Sequence, residues 1–454
     1  MRDGNGRAGM GIGGSRVRGQ SEHSRGRAAR SGMARMIASG EHPPMRRIRL
    51  SRRAAAPLVL ASSLVACQAS TGSTSAPEPA GADTPALART VVLSGLSGPW
   101  DIAFAPNGAM FFTERCRGLS VRQPTGTVVR LFGTSGAALV APDLFCEGQS
   151  GVHGVALDPD FAVNRRVYVF MASNLSTAPR TNRVVRLELD TGFTVAGSRT
   201  DIVTDIRYKD VGNAVGGAGA HSGGRIRFGP DGFLYVGTGD NHSGPLPQHP
   251  TWLGGKVLRV TTSGAPAPGN APPPGFDARI FSYGHRNVQG IAFQPGTGAV
   301  YVAEHGPNHS DEVTRLVAGG NGGWDPQNRP GLSCPGGYCG YAGNPATMPM
   351  TDAARFPGAL PAAWSNGSAS QGLGPATFLT GSQWRGWNGR LAVGIMGAQR
   401  LVILTIGPTG AVTAAVNAAV PAARHRSLVQ GPDGALYVAT DGGEIWRVAP
   451  GPGA

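Results

Sequence analysis

Phe228-Gly229-Pro230-Asp231-Gly232, followed by Leu234-Tyr235-Val236, reads as the end of one strand, a tight turn and the start of a second strand. The same phrase recurs along the chain. Phe104-Ala105-Pro106-Asn107-Gly108 precedes Met110-Phe111-Phe112, and Leu157-Asp158-Pro159-Asp160-Phe161 precedes Val167-Tyr168-Val169. Phe293-Gln294-Pro295-Gly296 precedes Val300-Tyr301-Val302, and Gln430-Gly431-Pro432-Asp433-Gly434 precedes Leu436-Tyr437-Val438. The repeated Pro returns every 50 to 70 residues or so, except for one gap of about twice that length between Pro295 and Pro432. Trp387-Asn388-Gly389-Arg390-Leu391-Ala392-Val393-Gly394 fills the gap as a sixth hairpin. Six such units, each a four-stranded antiparallel sheet, predict an all-β six-bladed β-propeller, which hides most sheet edges and leaves an axial pocket. A pair of β-sandwiches does not repeat one turn phrase at this period.

Composition agrees with an all-β chain rich in turns: 71 of 454 residues are Gly and 36 are Pro. The formal net charge of +14 is unevenly spread, because residues 1–66 carry 13 Arg against Asp3, Glu22 and Glu41 and so hold ten of those charges. The remainder is nearly balanced, so a nucleic-acid footprint is not expected.

From Met45, a basic segment, Arg46-Arg47-Ile48-Arg49-Leu50-Ser51-Arg52-Arg53, leads into an apolar run from Ala54 to Ala66 that is too short to span a bilayer. Residues 45–66 are therefore read as a signal peptide. Leu64-Val65-Ala66-Cys67 resembles a lipobox, in which the signal is cut before a Cys that is then acylated, so Cys67 is expected to carry lipid and the protein to be exported and anchored to the membrane. Residues 1–44 are Gly, Arg and Ser rich and are expected to be disordered, with Met45 the expected start of translation. Residues 67–88 read as a flexible Ser/Thr/Ala/Pro tether, and 89–451 as the propeller.

Four cysteines remain in an oxidising setting, and three pairings are possible. Cys334 with Cys339, closing a tight turn, and Cys116 with Cys146 are favoured, over a zinc site whose spacings do not fit.

Two stretches concentrate chemistry at strand ends. Tyr283-Gly284-His285-Arg286-Asn287-Val288-Gln289-Gly290, with Glu304-His305-Gly306-Pro307 close behind, sets an Arg fork beside two carboxamides, either as a site for a rigid anionic ligand or as a loop that caps its own backbone. His221, just before Ile226-Arg227-Phe228, and Asp240, at the end of the next strand, lie at the same end of a hairpin. They form either a base with its orienting carboxylate or a loop-capping His beside an Asx turn.

With these residues in view, the chain from Val91 to Val448 resembles the soluble pyrroloquinoline-quinone (PQQ) dependent aldose and glucose dehydrogenases, the glucose/sorbosone dehydrogenase group. Gly-Leu-Ser-Gly-Pro-Trp at 95–100, Glu147-Gly148-Gln149, the His221 loop and Gly284-His285-Arg286-Asn287-Val288-Gln289-Gly290 match that family's signatures in order. The resemblance implies a six-bladed propeller that passes hydride from the C1 of an aldose to PQQ, giving a lactone and feeding an external electron acceptor. It implies His221 as general base, Asp240 as its orienter and Gln149 near the sugar. Arg286 would stabilise charge on the quinone oxygen, with Asn287, Gln289 and the pair Arg424 and Arg426 as further cofactor contacts; that pair also reads as a solvated basic turn. The carbonyls of Gly306 and Pro307 would bind calcium (Ca2+) that grips the quinone.

There are departures. Met396-Gly397-Ala398 stands where the family often has Lys, Ala220 where an acidic residue often precedes the His, and the loop from Trp364 is atypical. A changed substrate range is expected. Other classes remain: a surface propeller that binds a glycan or protein without turnover, and a calcium-dependent lactonase, whose axial carboxylate ligands are not evident.

Overall fold

The computed structural model describes residues 84–177, 180–210, 215–367 and 369–451. The extension 1–44, the signal segment, Cys67 and most of the tether lie outside the described residues. The described part contains six mainly antiparallel sheets of four or five strands. These are the six blades predicted from the repeated turn.

In chain order, blade one starts at Pro99–Phe104, blade two at Val152–Leu157, blade three at Ile226–Phe228, blade four at Val288–Phe293, blade five at Leu373–Phe378 and blade six at His425–Gln430. These innermost strands pack side by side, and the last returns to pack on the first. The outermost strand of blade six is Leu87–Leu93, paired antiparallel with Glu444–Pro450 through contacts such as Leu87 with Pro450 and Val91 with Trp446. The N-terminal strand thus closes the ring and removes an open edge. The propeller accordingly begins two residues inside the expected tether. Blades one and three each gain a short fifth strand that pairs in parallel, Leu139–Val140 and Gly320–Asn321.

Strands near the axis are buried on both faces, because each blade packs between two others. The second strands Met110–Glu114 and Val300–Glu304 are buried at every position, whereas Thr181–Leu189, third from the axis in blade two, mixes buried and partly buried residues. Between blades two and three, Tyr168 and Phe170 pack with Ile226, Leu234 and Val236. Burying side chains of this size contributes about 1.5–3 kcal/mol each.

The repeated turns lie at one end of the inner hairpins. In the phrase at 228–236, the amide of Gly229 bonds the Phe233 carbonyl at 2.9 Å. Asp231 accepts from the Tyr235 hydroxyl and Arg259 Nε, both at 2.9 Å. The sixth hairpin departs from the phrase: Leu373–Phe378 and Leu391–Ile395 are joined through a 3₁₀ segment, Ser382–Trp387, anchored by buried Trp384 and Trp387. Residues that precede each inner strand and follow its partner collect at the opposite end. That end holds most of the site residues expected from the sequence.

One buried carboxyl gives the fold a pH dependence. Glu312, opposite Glu304 in blade four, accepts from the Thr351 hydroxyl at 3.0 Å. Burial, with Glu304 and Asp311 nearby, pushes it up to about 8. A raised carboxyl binds its proton more tightly in the folded state, so its stabilisation is complete below the ordinary Glu range and is lost as pH rises through about 8. Glu312→Gln is therefore expected to gain thermal stability relative to the parent as pH rises from about 5 to about 8. Melting curves at both ends of that range check it, and a constant difference would contradict it.

Candidate active site

A cavity of about 610 Å³ opens at the end of the axis opposite the repeated turns. Its wall includes Trp100, Arg115, Gln149, His153, His221, Asn287, Gln289, His305, Tyr341, Met396, Arg424, Arg426 and Asp441. All six blades contribute. Its size is that of a site for a single small organic molecule.

His221 and Asp240 meet as the hairpin predicts. His221 Nδ1 lies 2.7 Å from Asp240 Oδ1, and both residues are buried. A carboxylate accepts, so Nδ1 carries the proton and Nε2 presents a lone pair. Asp240 Oδ2 accepts from Trp324 Nε1 at 2.8 Å and from the Tyr338 hydroxyl at 2.9 Å, and Oδ1 also accepts from the His242 amide at 3.0 Å. Burial works against the Asp240 charge, but the facing imidazole, Arg286 and these donors hold its carboxyl well below the usual range. For His221, burial and then Arg286 push the imidazolium down to about 3, despite Asp240. The ring is neutral at physiological pH, the form a base requires. His221, Asn241 and His242 have φ of 51°, 48° and 52°, so three L-residues hold left-handed backbone within one cluster.

The His-Arg-Asn-Val-Gln loop divides between its two readings. His285 turns away from the cavity, with Nδ1 2.5 Å from Glu304 Oε1 and Nε2 2.7 Å from the Ser282 hydroxyl, while Glu304 Oε2 accepts from the Arg286 amide at 2.8 Å. That half caps itself. Asn287 and Gln289 face the cavity, and Asn287 Oδ1 accepts from the Gly223 amide and from Gln289 Nε2, both at 3.1 Å. The carboxamides thereby fix the turn just after His221.

Arg286 is fully buried and does not line the cavity. Its Nη1 donates to the His305 carbonyl at 2.5 Å and its Nη2 to the Tyr341 hydroxyl at 2.8 Å, while Nε has no hydrogen-bond partner among the described residues. Its charge reaches the cavity through Tyr341. Gln149 lines the wall, and its carbonyl lies 2.9 Å from His153 Nε2. His153 stacks on Trp100 with ring centroids 4.7 Å apart, and its buried Nδ1 has no hydrogen-bond partner among the described residues.

Arg424 and Arg426 both line the cavity, and both bond Asp441: Arg424 Nε at 2.8 Å, Arg426 Nε at 2.5 Å and Arg426 Nη2 at 2.9 Å. Among the described residues Arg426 Nη1 bonds the Met396 sulfur, at 3.3 Å, a weak acceptor that a carboxylate would displace. Gly306 and Pro307 do not line the cavity, and the Gly306 carbonyl lies 2.6 Å from His305 Nδ1. A Cβ at Gly397 would lie 2.4 Å from the Gln371 carbonyl oxygen, so the backbone here leaves no room for the side chain found at this point in the family resembled.

Cys116 is bonded to Cys146 and Cys334 to Cys339. The second bond closes the turn that delivers Tyr338 to Asp240, in a loop that also carries Trp324 and Tyr341. Sequence reasoning missed these three aromatic residues, His242 and Asp441. The cysteine pair was the one signal for the loop, and it pointed to a staple rather than to a site.

A family model described as Glucose / Sorbosone dehydrogenase matches residues 96–447. The chain is 29% identical over 373 residues to the aldose sugar dehydrogenase YliI of Escherichia coli, covering 81% of this chain and 94% of that protein. The apo form of the soluble aldose sugar dehydrogenase from Escherichia coli superposes with a TM-score of 0.67 at 26% identity, covering 81% of this chain and 100% of that one. The PQQ-bound aldose sugar dehydrogenase from Streptomyces coelicolor gives a TM-score of 0.60 at 26% identity, with 81% and 99% covered.

Proposed function

The chain belongs to the glucose/sorbosone dehydrogenase family, and from that premise we propose that it oxidises the C1 hydroxyl of an aldose to a lactone, using PQQ held in the axial cavity. The observation that carries this reading is the His221–Asp240 pair, with its neutral Nε2 on a cavity whose opposite wall is cationic. The donor set fits PQQ, a flat anion rich in carboxylates and carbonyls. Arg424 and Arg426 would take carboxylates, Asn287 and Gln289 would donate amide hydrogens, and Trp100 offers an apolar ring.

When bound, the quinone supplies a two-electron acceptor for the hydride leaving C1. His221 Nε2 takes the hydroxyl proton, and Asp240 fixes the ring and stabilises the imidazolium that forms. Arg286, acting through the Tyr341 hydroxyl, adds positive potential where negative charge develops. Gln149 would contact the sugar. Calcium would take the Gly306 and Pro307 carbonyls, the former released from His305, and the protein would work on the exported side, anchored through Cys67 and passing electrons to an external acceptor.

Protein supplied with quinone and calcium is expected to reduce an artificial dye only when an aldose is present. Arg426→Gln is expected to raise the quinone Kd at least about tenfold, since an ion-assisted hydrogen bond contributes about 1.5–3 kcal/mol. No dye reduction across a broad panel of aldoses and alcohols would contradict the proposal. A glycan or protein ligand bound equally well with and without quinone would favour a non-catalytic propeller.

A further inference from the structure

We propose that Tyr338 is a positioning residue for the base: by donating to the far oxygen of Asp240 it draws carboxylate charge away from His221 and sets how strongly that ring takes a proton. Asp240 divides its donors between two oxygens. Oδ1 faces His221 Nδ1 at 2.7 Å and the His242 amide at 3.0 Å, whereas Oδ2 accepts from the loop stapled by Cys334 and Cys339, through Trp324 Nε1 at 2.8 Å and the Tyr338 hydroxyl at 2.9 Å. One negative charge is shared by the two oxygens, and each donor at Oδ2 holds part of it there whether or not His221 is protonated. A carboxylate capped in this way attracts a proton on the facing imidazole less strongly than one whose second oxygen is bare.

The direction of the Tyr338 bond is fixed. Asp240 is fully buried and a carboxylate only accepts, so the hydroxyl donates. Burial, with Asp240 beside it, holds that hydroxyl well above the ordinary phenol range, and its proton stays in place. The turn that delivers it is closely defined: the Cys334–Cys339 bond closes it, and Gly336 and Gly337 take left-handed backbone with φ of 67° and 73°. The Cys339 amide donates to the Pro326 carbonyl at 2.7 Å, and Tyr338 packs with Trp324, Met348 and Met350. Neither Tyr338 nor Trp324 lines the cavity, so both act through Asp240.

The charged and titratable groups around the His221–Asp240 pair are His242, Arg286, Lys209, Tyr338 and Tyr341. Asp240 is the one carboxylate in this cluster. Burial and then Arg286 oppose a proton on His221, and Asp240 is the counterweight. What is bonded to its second oxygen therefore decides how much of that counterweight the ring feels. A base held weak keeps its lone pair in mildly acid surroundings, the condition that hydrolysis of a lactone product to its acid would create.

The bearing on turnover rests on the dehydrogenase reading, but the tuning itself is tested on the quinone-free full chain by ¹⁵N NMR. In the parent, which requires no variant to fold, the Trp324 indole N–H signal is expected to follow protonation of His221 as the pH falls toward about 3, because the imidazolium pulls the Asp240 charge toward Oδ1. In Tyr338→Phe the His221 pKa is expected to rise by at least about half a unit, about a threefold gain in proton affinity. The Trp324 indole proton should then move downfield, as the donor left on Oδ2, and stay protected from exchange. The acid limb of kcat against pH should move up with the His221 pKa, with the quinone Kd little changed. An indole signal blind to His221 in the parent would overturn the proposal, as would an unmoved or lowered His221 pKa in the variant. A raised pKa beside a freely exchanging indole proton would overturn it too, since that pattern reports water entering rather than charge shifting. Absence of turnover beside the expected titrations would instead contradict the dehydrogenase reading alone.

Discussion

His221→Ala is expected to lower kcat for aldose oxidation by about 10²–10⁴-fold, the range that a positioned general base contributes, while the quinone still binds. The split follows from geometry. His221 presents a single nitrogen to the cavity, whereas the cationic and amide groups assigned to the cofactor come from blades four and six and do not depend on the imidazole. The substitution also removes one donor from a fully buried carboxylate. Trp324 Nε1, the Tyr338 hydroxyl and the His242 amide remain on Asp240, so a stability loss of about 1–3 kcal/mol is expected rather than collapse. Steady-state rates, beside a quinone titration of the same variant, check both halves. A rate within a factor of a few of the parent would remove His221 from the chemistry.

Asp240→Asn is the second large effect, and it probes orientation rather than proton affinity. Asp240 accepts from four donors, two on each oxygen. An Asn side chain can satisfy only one of those sides. If its oxygen faces Trp324 and Tyr338, its NH₂ meets His221 Nδ1, and the ring relieves the clash by moving its proton to Nε2, the nitrogen that must accept. If the amide turns the other way, the indole N–H of Trp324 is left without an acceptor in the interior. Either result costs about 1–3 kcal/mol of stability, and the first also removes the working tautomer, with an expected loss of about 10²–10⁴ in kcat. Imidazole ¹⁵N shifts report the tautomer directly. Full activity with Nδ1 still protonated would show that the carboxylate charge is dispensable.

The parts of this molecule that were legible in the sequence are those written as local patterns. The Pro-Asp-Gly phrase states its own backbone geometry, so five hairpins and their period could be read without any long-range contact. Leu87–Leu93 was harder, because a strand closing a ring from the far end of the chain carries no local mark of its partner, Glu444–Pro450. The same distinction divides the site. His221 and Asp240 lie at the two ends of one hairpin, and strand pairing alone brings them together. Trp324 and Tyr338 reach Asp240 from 84 and 98 residues away through an irregular loop, with no period to predict their approach. His242 lies only two residues beyond Asp240, yet its ring faces His221 because Asn241 and His242 both take left-handed backbone, which neither residue type requires. Arg424 and Arg426 read as a cationic pair, but their internal counter-ion, Asp441, became visible only once the first hairpin of blade six brought their strand beside it. Arg286 was singled out for its charge. Its full burial behind Tyr341 follows from a loop that the sequence marked only by its cysteines.

The central claim is that the axial cavity is a redox site holding a quinone against a histidine base. The most direct test is an anaerobic titration of the full chain with PQQ and calcium, monitored by absorbance, followed by one addition of an aldose. One quinone should bind saturably per chain, and the sugar should then convert its oxidised spectrum to the reduced one, with both steps intact in the parent and only the second slowed, by about 10²–10⁴-fold, in His221→Ala. Failure of the quinone to saturate the protein, or a bound quinone that stays oxidised in the presence of every aldose supplied, would contradict the account.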